Sequence, residues 1–233
     1  MNFLDMSILI ILAISVFIGI YNGFLVSFLK IIAYFASWIL SFLFYPVVSK
    51  RLITTTDLFE KLVYYTNVSS KVVNFEQKNL GILTLNNGQA EGIVTNAQIP
   101  PPFDKIILSN LTNRSLTGLK TLGEYIDYTI ANVIINLLSF LIVFFIVRLI
   151  FSIVIGIAKA IKGVPVLKQL DSLAGAGLGL ARGVLFLYIL FSILPLALTF
   201  APVDFLLDAI ESSKLASFFY KTNIFTNFIR GYI

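Results

Sequence analysis

Four long apolar runs constrain the fold of this chain more than any other feature. They extend from about Leu4 to Ile20, Ile31 to Val48, Ile130 to Ile161 and Ala174 to Phe200. Crossing the ~30 Å core of a bilayer takes about 20 consecutive, mostly apolar residues in a helix. The pattern therefore predicts an all-α integral membrane protein with about four transmembrane helices.

The composition supports this class and excludes several kinds of site. Hydrophobic residues make up 58% of the chain and charged residues 12%, about half the charged share of soluble domains. Cysteine and histidine are both absent, which excludes disulfides, thiolate metal sites and the commonest general base. We therefore expect a protein that is not an enzyme and has no metal or cofactor.

The net charge of +5 has a simple interpretation. The lysines and arginines are scattered along the chain, which favours contact with anionic lipid over nucleic-acid binding. The N-terminus carries Asp5 where a signal peptide would be basic, so we expect a retained first span. Asn2 and Asp5 have the spacing of a helix N-cap and its third residue.

The runs divide the chain into segments at residues 1–49, 50–128, 129–200 and 201–233. Residues 50–128 are rich in turn and loop chemistry, with apolar patches that indicate one or two short helices. A small extramembrane subdomain and a partly disordered loop both fit this segment. The tail predicts an amphipathic helix with Asp204, Asp208 and Glu211 on one solvated face.

The loop between the third and fourth runs indicates orientation. We expect a short turn that carries Lys159, Lys162 and Lys168 against Asp171. Short lysine-rich loops stay in the cytoplasm. Four spans would then place both termini and the central loop outside the cytoplasm, and the opposite orientation remains an alternative.

Small residues mark the entry to the fourth run. Gly175, Gly179 and Gly183 are spaced four apart, and a second pair, Gly19 and Gly23, interrupts the chain after the first run. Such spacing lets helix backbones approach closely in a membrane. The pattern favours this packing role strongly over a phosphate-binding loop, which needs a preceding strand and a Lys-Ser/Thr ending. We expect the first or second span to pack against the fourth.

Cations near the predicted cytoplasmic face allow two interpretations. Lys30, Arg148 and Arg182 either extend toward the membrane surface or line an ion or substrate path. Lys168 and Asp171 are further charged positions at the start of the fourth span.

Several motifs resemble the colicin V production (CvpA) family of bacterial membrane proteins. The first is an Asp before an apolar span that ends in Gly-x-x-x-Gly-Phe. The second is a Phe-rich helix with an arginine, "SFLIVFFIVRLI". The third is "LKQLDSLAGAGLGLARGVLFL", a polar pair before a glycine-rich span. The matching residues are Asp5, Gly19, Gly23, Phe24, Arg148, Lys168, Asp171, Gly175, Gly179 and Gly183.

The resemblance implies a multi-pass protein of the bacterial inner membrane. It implies a role in producing or exporting a peptide toxin and in maintaining the cell envelope, and it transfers no catalytic residue. A membrane-protein partner or a homo-oligomer is expected beside the lipid bilayer. A small oligomeric channel or transporter remains the alternative function.

Overall fold

The computed structural model describes residues 2–97, 99, 103–113, 118–161, 168–194 and 208–223. This part of the chain is almost entirely helical. In chain order the helices are α1 (Phe3–Thr55), α2 (Leu58–Thr66), α3 (Ser69–Val72), α4 (Phe75–Lys78), α5 (Asn87–Asn96), α6 (Phe103–Asn113), α7 (Leu122–Ile161), α8 (Lys168–Ser192) and α9 (Lys214–Lys221).

Three of the described helices are long and apolar enough to cross a membrane. The qualifying stretches are Phe3–Thr55, Leu122–Ile157 and Asp171–Ser192. These helices expose large apolar side chains such as Phe17, Leu43 and Leu149, which suits contact with lipid. The predicted class, an all-helical membrane protein, agrees with this architecture.

Helix α1 contains both of the first two apolar runs. At 1.5 Å per residue, its two parts on either side of Gly23, residues 3–22 and 24–55, are about 30 and 48 Å long, so each is long enough to cross a bilayer core. The sequence predicts a break over residues 19–23, and the structure has one at Gly23, whose backbone is not helical, while Gly19 and Asn22 keep helical geometry. The side-chain amide of Asn22 supports the continuing turn by donating to the carbonyl oxygen of Ile18 at 2.6 Å.

The predicted bounds of the third and fourth helices need correction. Helix α7 begins at Leu122 rather than near Ile130, because Glu124 accepts hydrogen bonds from the two backbone N–H groups before the helix at 2.9 and 3.2 Å. Helix α8 begins at Lys168, inside the predicted turn, and ends at Ser192. The remainder of the predicted fourth span, residues 195–200, lies outside the described residues.

The central segment contains more helix than expected. Helices α2 to α6 lie between α1 and α7, where the sequence predicts one or two. Asn74 and Asn86 account for two of them, α4 and α5, since each accepts from a backbone N–H three residues later at 2.8 Å and so begins a helix. Asparagines that look like loop residues in the sequence are helix caps here.

The chain divides into two compact units. The first comprises the described parts of residues 2–45, 140–192 and 208–223, and the second those of residues 46–139 and 193–194. In the second unit, α7 presents a buried apolar face with a spacing of four residues: Leu122, Ile126, Ile130 and Ile134. The carboxylate of Asp127 accepts hydrogen bonds from the backbone N–H and hydroxyl of Ser69 at 2.7 and 2.6 Å.

In the first unit, the start of α1 binds the tail. The Asp5 carboxylate accepts from the N–H of Asn2 at 3.0 Å, as the cap spacing predicts. It also accepts from the Ser213 hydroxyl at 2.7 Å and the Leu215 N–H at 2.9 Å. Since Ser213 caps α9, the single amphipathic tail helix predicted from the sequence is wrong. Asp208 and Glu211 are exposed, as predicted, and Asp204 lies outside the described residues.

Candidate functional site

Helices α1 and α8 meet along a seam of small residues in the first unit. We call this set the glycine seam, and all six of its members are buried. The spacing of four residues places each set of three on one face of its helix. The members are Ser15, Gly19 and Gly23 on α1, and Gly175, Gly179 and Gly183 on α8.

The backbones touch along the glycine seam. A Cβ atom on Gly19 would overlap the carbonyl oxygen of Gly175 and lie 2.8 Å from the Cα of Gly179. A Cβ on Gly183 would lie 2.8 Å from the Cβ of Ser15. The partners on α1 move toward the N-terminus as the numbers on α8 rise, so the two segments are antiparallel. Side chains larger than hydrogen at these glycines would separate the helices.

Gly23 breaks α1 at one end of the glycine seam. Its φ of 72° and ψ of 178° lie in a region that only glycine occupies readily. The break frees backbone N–H groups at the start of the second half of α1, and the Asp171 carboxylate accepts from the N–H of Phe24 at 2.8 Å. Ser172 completes the junction by donating to the carbonyl oxygen of Ile20 at 3.4 Å.

This junction resembles a helix N-cap supplied by another helix. A carboxylate is stabilised at a helix N-terminus by hydrogen bonds and by the positive end of the helix dipole. Interrupted helices of this kind recur in membrane proteins that bind ions or substrates at the break. Here the site at the break is already occupied by Asp171, so the arrangement fixes the two helices to each other. Lys168 begins α8, and its side chain lies outside the described part of the structure.

A basic cleft of about 430 Å³ lies in the same unit, where the glycine seam ends. Arg182 precedes Gly183 in the sequence, and Ser15 belongs to both features. All three predicted cations line this cleft. Its lining residues are Lys30, Arg148 and Arg182, with Tyr34, Ser15 and Ser152, and the apolar Ile11, Ile14 and Phe186.

Tyr34 organises the wall of the basic cleft. It is 4% exposed, and its hydroxyl donates to the carbonyl oxygen of Leu185 at 2.8 Å. Its ring packs edge-on against Phe144 at 5.2 Å between centroids. The guanidinium carbon of Arg148 lies 5.6 Å from the centre of the same ring, a cation–π geometry. Tyr34 thus connects α1, α7 and α8 around the cations.

Sequence reasoning missed two residues that matter at these sites, Ser15 and Tyr34, and the role of a third, Asp171, which it did single out. Ser15 extends the small-residue spacing of Gly19 by one turn, so a search for Ser as well as Gly would have found it. Tyr34 lies four residues after Lys30, on the same helical face. The role of Asp171 as a cap leaves no signal in the sequence, because the N–H group that it accepts from belongs to Phe24, 147 positions away.

The two sites offer different kinds of contact. No cluster of His, Cys, Asp or Glu that could hold a metal ion occurs among the described residues. The glycine seam supplies close contact, and the basic cleft supplies positive charge beside apolar surface.

One comparison with known proteins gives a match. A family model described as colicin V production protein matches residues 4–75 and 115–223, which is most of the chain. The matched ranges contain the whole glycine seam, Asp171 and all three cations of the basic cleft. The curated proteins and the solved structures gave no significant match.

Proposed function

The chain belongs to the colicin V production family, and from this premise we propose that it supports the production or export of a peptide toxin and helps to maintain the cell envelope. The family match is the observation that carries the proposal. We further propose that the protein acts without catalysis, through contacts of its helices with a membrane-protein partner or a second copy of itself.

The glycine seam supports a role as a fixed membrane scaffold. Backbone contact at Gly19, Gly175 and Gly179 and the cap from Asp171 to Phe24 hold α1 and α8 in one arrangement. Helices held in this way present a constant outer surface to a partner. Apolar side chains of the two helices, such as Phe17 on α1 and Leu180 on α8, are exposed.

Complementation tests the role in toxin export. A toxin-producing host that lacks its own family member is supplied with the wild-type chain, with Asp171→Ala or with Asp208→Ala. Toxin activity is measured in the medium and inside the cells, and the membrane level of each variant is measured by immunoblot. We expect the wild type and Asp208→Ala to restore release equally, because Asp208 is exposed. Asp171→Ala should restore less.

Two results would contradict this proposal. One is a deletion strain that releases as much toxin as the complemented strain. The other is an Asp171→Ala variant that restores full release while its α1–α8 contact is shown by cross-linking to be lost.

The basic cleft favours a second candidate, a small oligomeric channel or transporter. Lys30, Arg148 and Arg182 line one cavity between helices that are apolar enough to cross a membrane. Cations inside a membrane commonly line ion or substrate paths. Anion flux into proteoliposomes should then be abolished by Arg182→Leu and retained by Arg51→Leu, whose side chain is exposed and outside the cleft. Absence of flux in the wild type would remove this candidate.

We propose four membrane crossings in the cell membrane, with the break at Gly23 dividing α1 into two. Both termini and the central segment would then lie outside the cytoplasm, and the lysine-containing connection before α8 inside it. The chain has no native cysteine, so single cysteines at Tyr64 and Ser212 can be labelled by a membrane-impermeant maleimide in intact cells. We expect both cysteines to be labelled in intact cells. Labelling only after lysis would indicate the opposite orientation.

A further inference from the structure

We propose that the basic cleft binds the phosphate group of an anionic amphiphile, a membrane phospholipid, whose acyl chain lies along the apolar wall of the cleft. This inference goes beyond the proposed function, because it concerns a ligand that would bind whether or not the protein supports toxin export or carries flux.

The charge of the cleft calls for an anion. Lys30, Arg148 and Arg182 line it, and none of the described lining residues is acidic. The side chains of Arg148 and Arg182 line the same cavity. Like charges repel strongly where water is scarce, and an anion between them would offset this repulsion by attracting both.

The carboxylates of Asp5 and Asp171, in the same unit, are engaged elsewhere. Asp5 accepts from Ser213 and from the backbone of Leu215. Asp171 accepts from the backbone of Phe24 and lies against Gly23, at the far end of the glycine seam. Neither carboxylate lines the cleft, so the chain supplies no counter-charge there from either of them.

One arginine nitrogen is left without a hydrogen bond. Nη1 of Arg148 is buried and has no partner in the described part of the chain. Its guanidinium is held over Tyr34, which is itself fixed by the carbonyl of Leu185. A buried donor without a partner is costly unless a ligand satisfies it. A phosphate oxygen is suited to this position, because the guanidinium fork matches the geometry of a phosphate.

The apolar part of the lining indicates an amphiphile. Ile11, Ile14 and Phe186 line the cleft beside the cations, and Ile14 and Phe186 are more than two fifths exposed. An inorganic ion would leave these side chains without a role, whereas an acyl chain would cover them. Basic pockets between transmembrane helices bind the headgroups of anionic lipids by this combination of charge and apolar contact.

Native mass spectrometry of the purified full chain in neutral detergent tests the proposal. Phosphatidylglycerol and phosphatidylcholine with identical acyl chains are titrated separately, and the fraction of protein with one bound lipid is measured. We expect phosphatidylglycerol to bind roughly tenfold or more tightly, since its phosphate charge is not cancelled by a headgroup cation. Arg148→Gln and Arg182→Gln should each reduce this preference roughly tenfold.

Arg51→Gln is the matched control, since it removes the same charge from an exposed position of α1 outside the cleft. It should keep the preference for phosphatidylglycerol. If Arg148→Gln does not fold, Arg182→Gln and Lys30→Gln provide the same test.

Equal binding of the two lipids, or an equal loss of preference in Arg51→Gln, would overturn the proposal. Inorganic phosphate distinguishes the two sources of the phosphate group. No competition by millimolar phosphate supports the lipid as the ligand. Competition that depends on Arg148 and Arg182 would support the phosphate site and assign it to soluble phosphate compounds, which would overturn the lipid assignment.

Discussion

The glycine seam and the basic cleft are neighbours that share α1 and α8, and they differ in whether their polar groups are satisfied. In the seam, residues without side chains let α1 and α8 touch, and the one carboxylate, Asp171, is satisfied by a backbone N–H. In the cleft, whose lining includes Arg182 directly before Gly183, long cationic side chains line a cavity, and Nη1 of Arg148 has no hydrogen-bond partner among the described residues. The seam is complete by itself, and the cleft requires something else.

The comparison shows that one part of the α1–α8 contact serves stability, whereas the neighbouring cleft is suited to binding. Close packing with satisfied polar groups stabilises the fold, whereas an unpaired buried cation costs free energy and persists where a ligand needs it. Substitutions in the two regions should therefore change stability in different directions.

The largest effect is expected from filling the glycine seam. Gly179→Leu places a side chain against the carbonyl oxygen of Ser15 and the backbone of Gly19. Because these are backbone atoms that cannot move aside, the free energy of unfolding should fall by about 3 kcal/mol or more. Thermal unfolding of the purified protein in detergent measures this change.

Gly177→Leu is the matched control, because a Cβ at Gly177 meets nothing within 4 Å. Its stability should stay within about 0.5 kcal/mol of the wild type. Equal losses for the two variants would show that α1 and α8 do not touch along the seam.

An intermediate effect is expected at the break in α1. Gly23→Ala and Gly118→Ala both force a residue with a side chain into a positive φ, 72° and 86° respectively, but only the first would collide with Asp171. Gly23→Ala should therefore destabilise by about 1–2 kcal/mol more than Gly118→Ala, the contribution of a helix N-cap. Chemical denaturation followed by circular dichroism would measure the difference.

A double variant sharpens this prediction. Once Gly23→Ala has displaced the Asp171 carboxylate, adding Asp171→Ala should lower the free energy of unfolding little further. In the wild-type background, Asp171→Ala should remove the whole contribution of the cap. Additive losses would mean that Asp171 stabilises the protein through some contact other than the one with Phe24.

The smallest effect, and one of opposite sign, is expected in the cleft. Arg148→Leu removes a partly buried cation that has an unsatisfied nitrogen. In detergent without anionic lipid, the free energy of unfolding should be unchanged or rise by about 1 kcal/mol. Differential scanning fluorimetry checks this, with Arg51→Leu measured alongside as the control. A fall in the free energy of unfolding above about 1 kcal/mol would show that Arg148 is already paired within the protein.

Three aspartates show what kind of feature the sequence could not reveal. Asp5, Asp127 and Asp171 each accept from a backbone N–H at the start of a distant helical segment. The cap spacing of Asn2 and Asp5 was readable from the sequence because it is local. The three distant contacts were not, since each joins residues 58 or more positions apart. The asparagine caps of the central segment are also local, since Asn74 and Asn86 each stand three residues before a glutamine, but asparagine is equally common in loops.

The sequence by itself determined the membrane class, the long apolar helices, the family and the small-residue faces, because hydrophobicity and spacing are properties of neighbouring residues. Only the tertiary structure decided which faces meet. It placed Gly19 between Gly175 and Gly179, put the break of α1 at Gly23 under the carboxylate of Asp171, and gathered Lys30, Arg148 and Arg182 into one cleft. Those outcomes depend on how helices far apart in the chain pack, and periodicity along one helix carries no information about the surface of another.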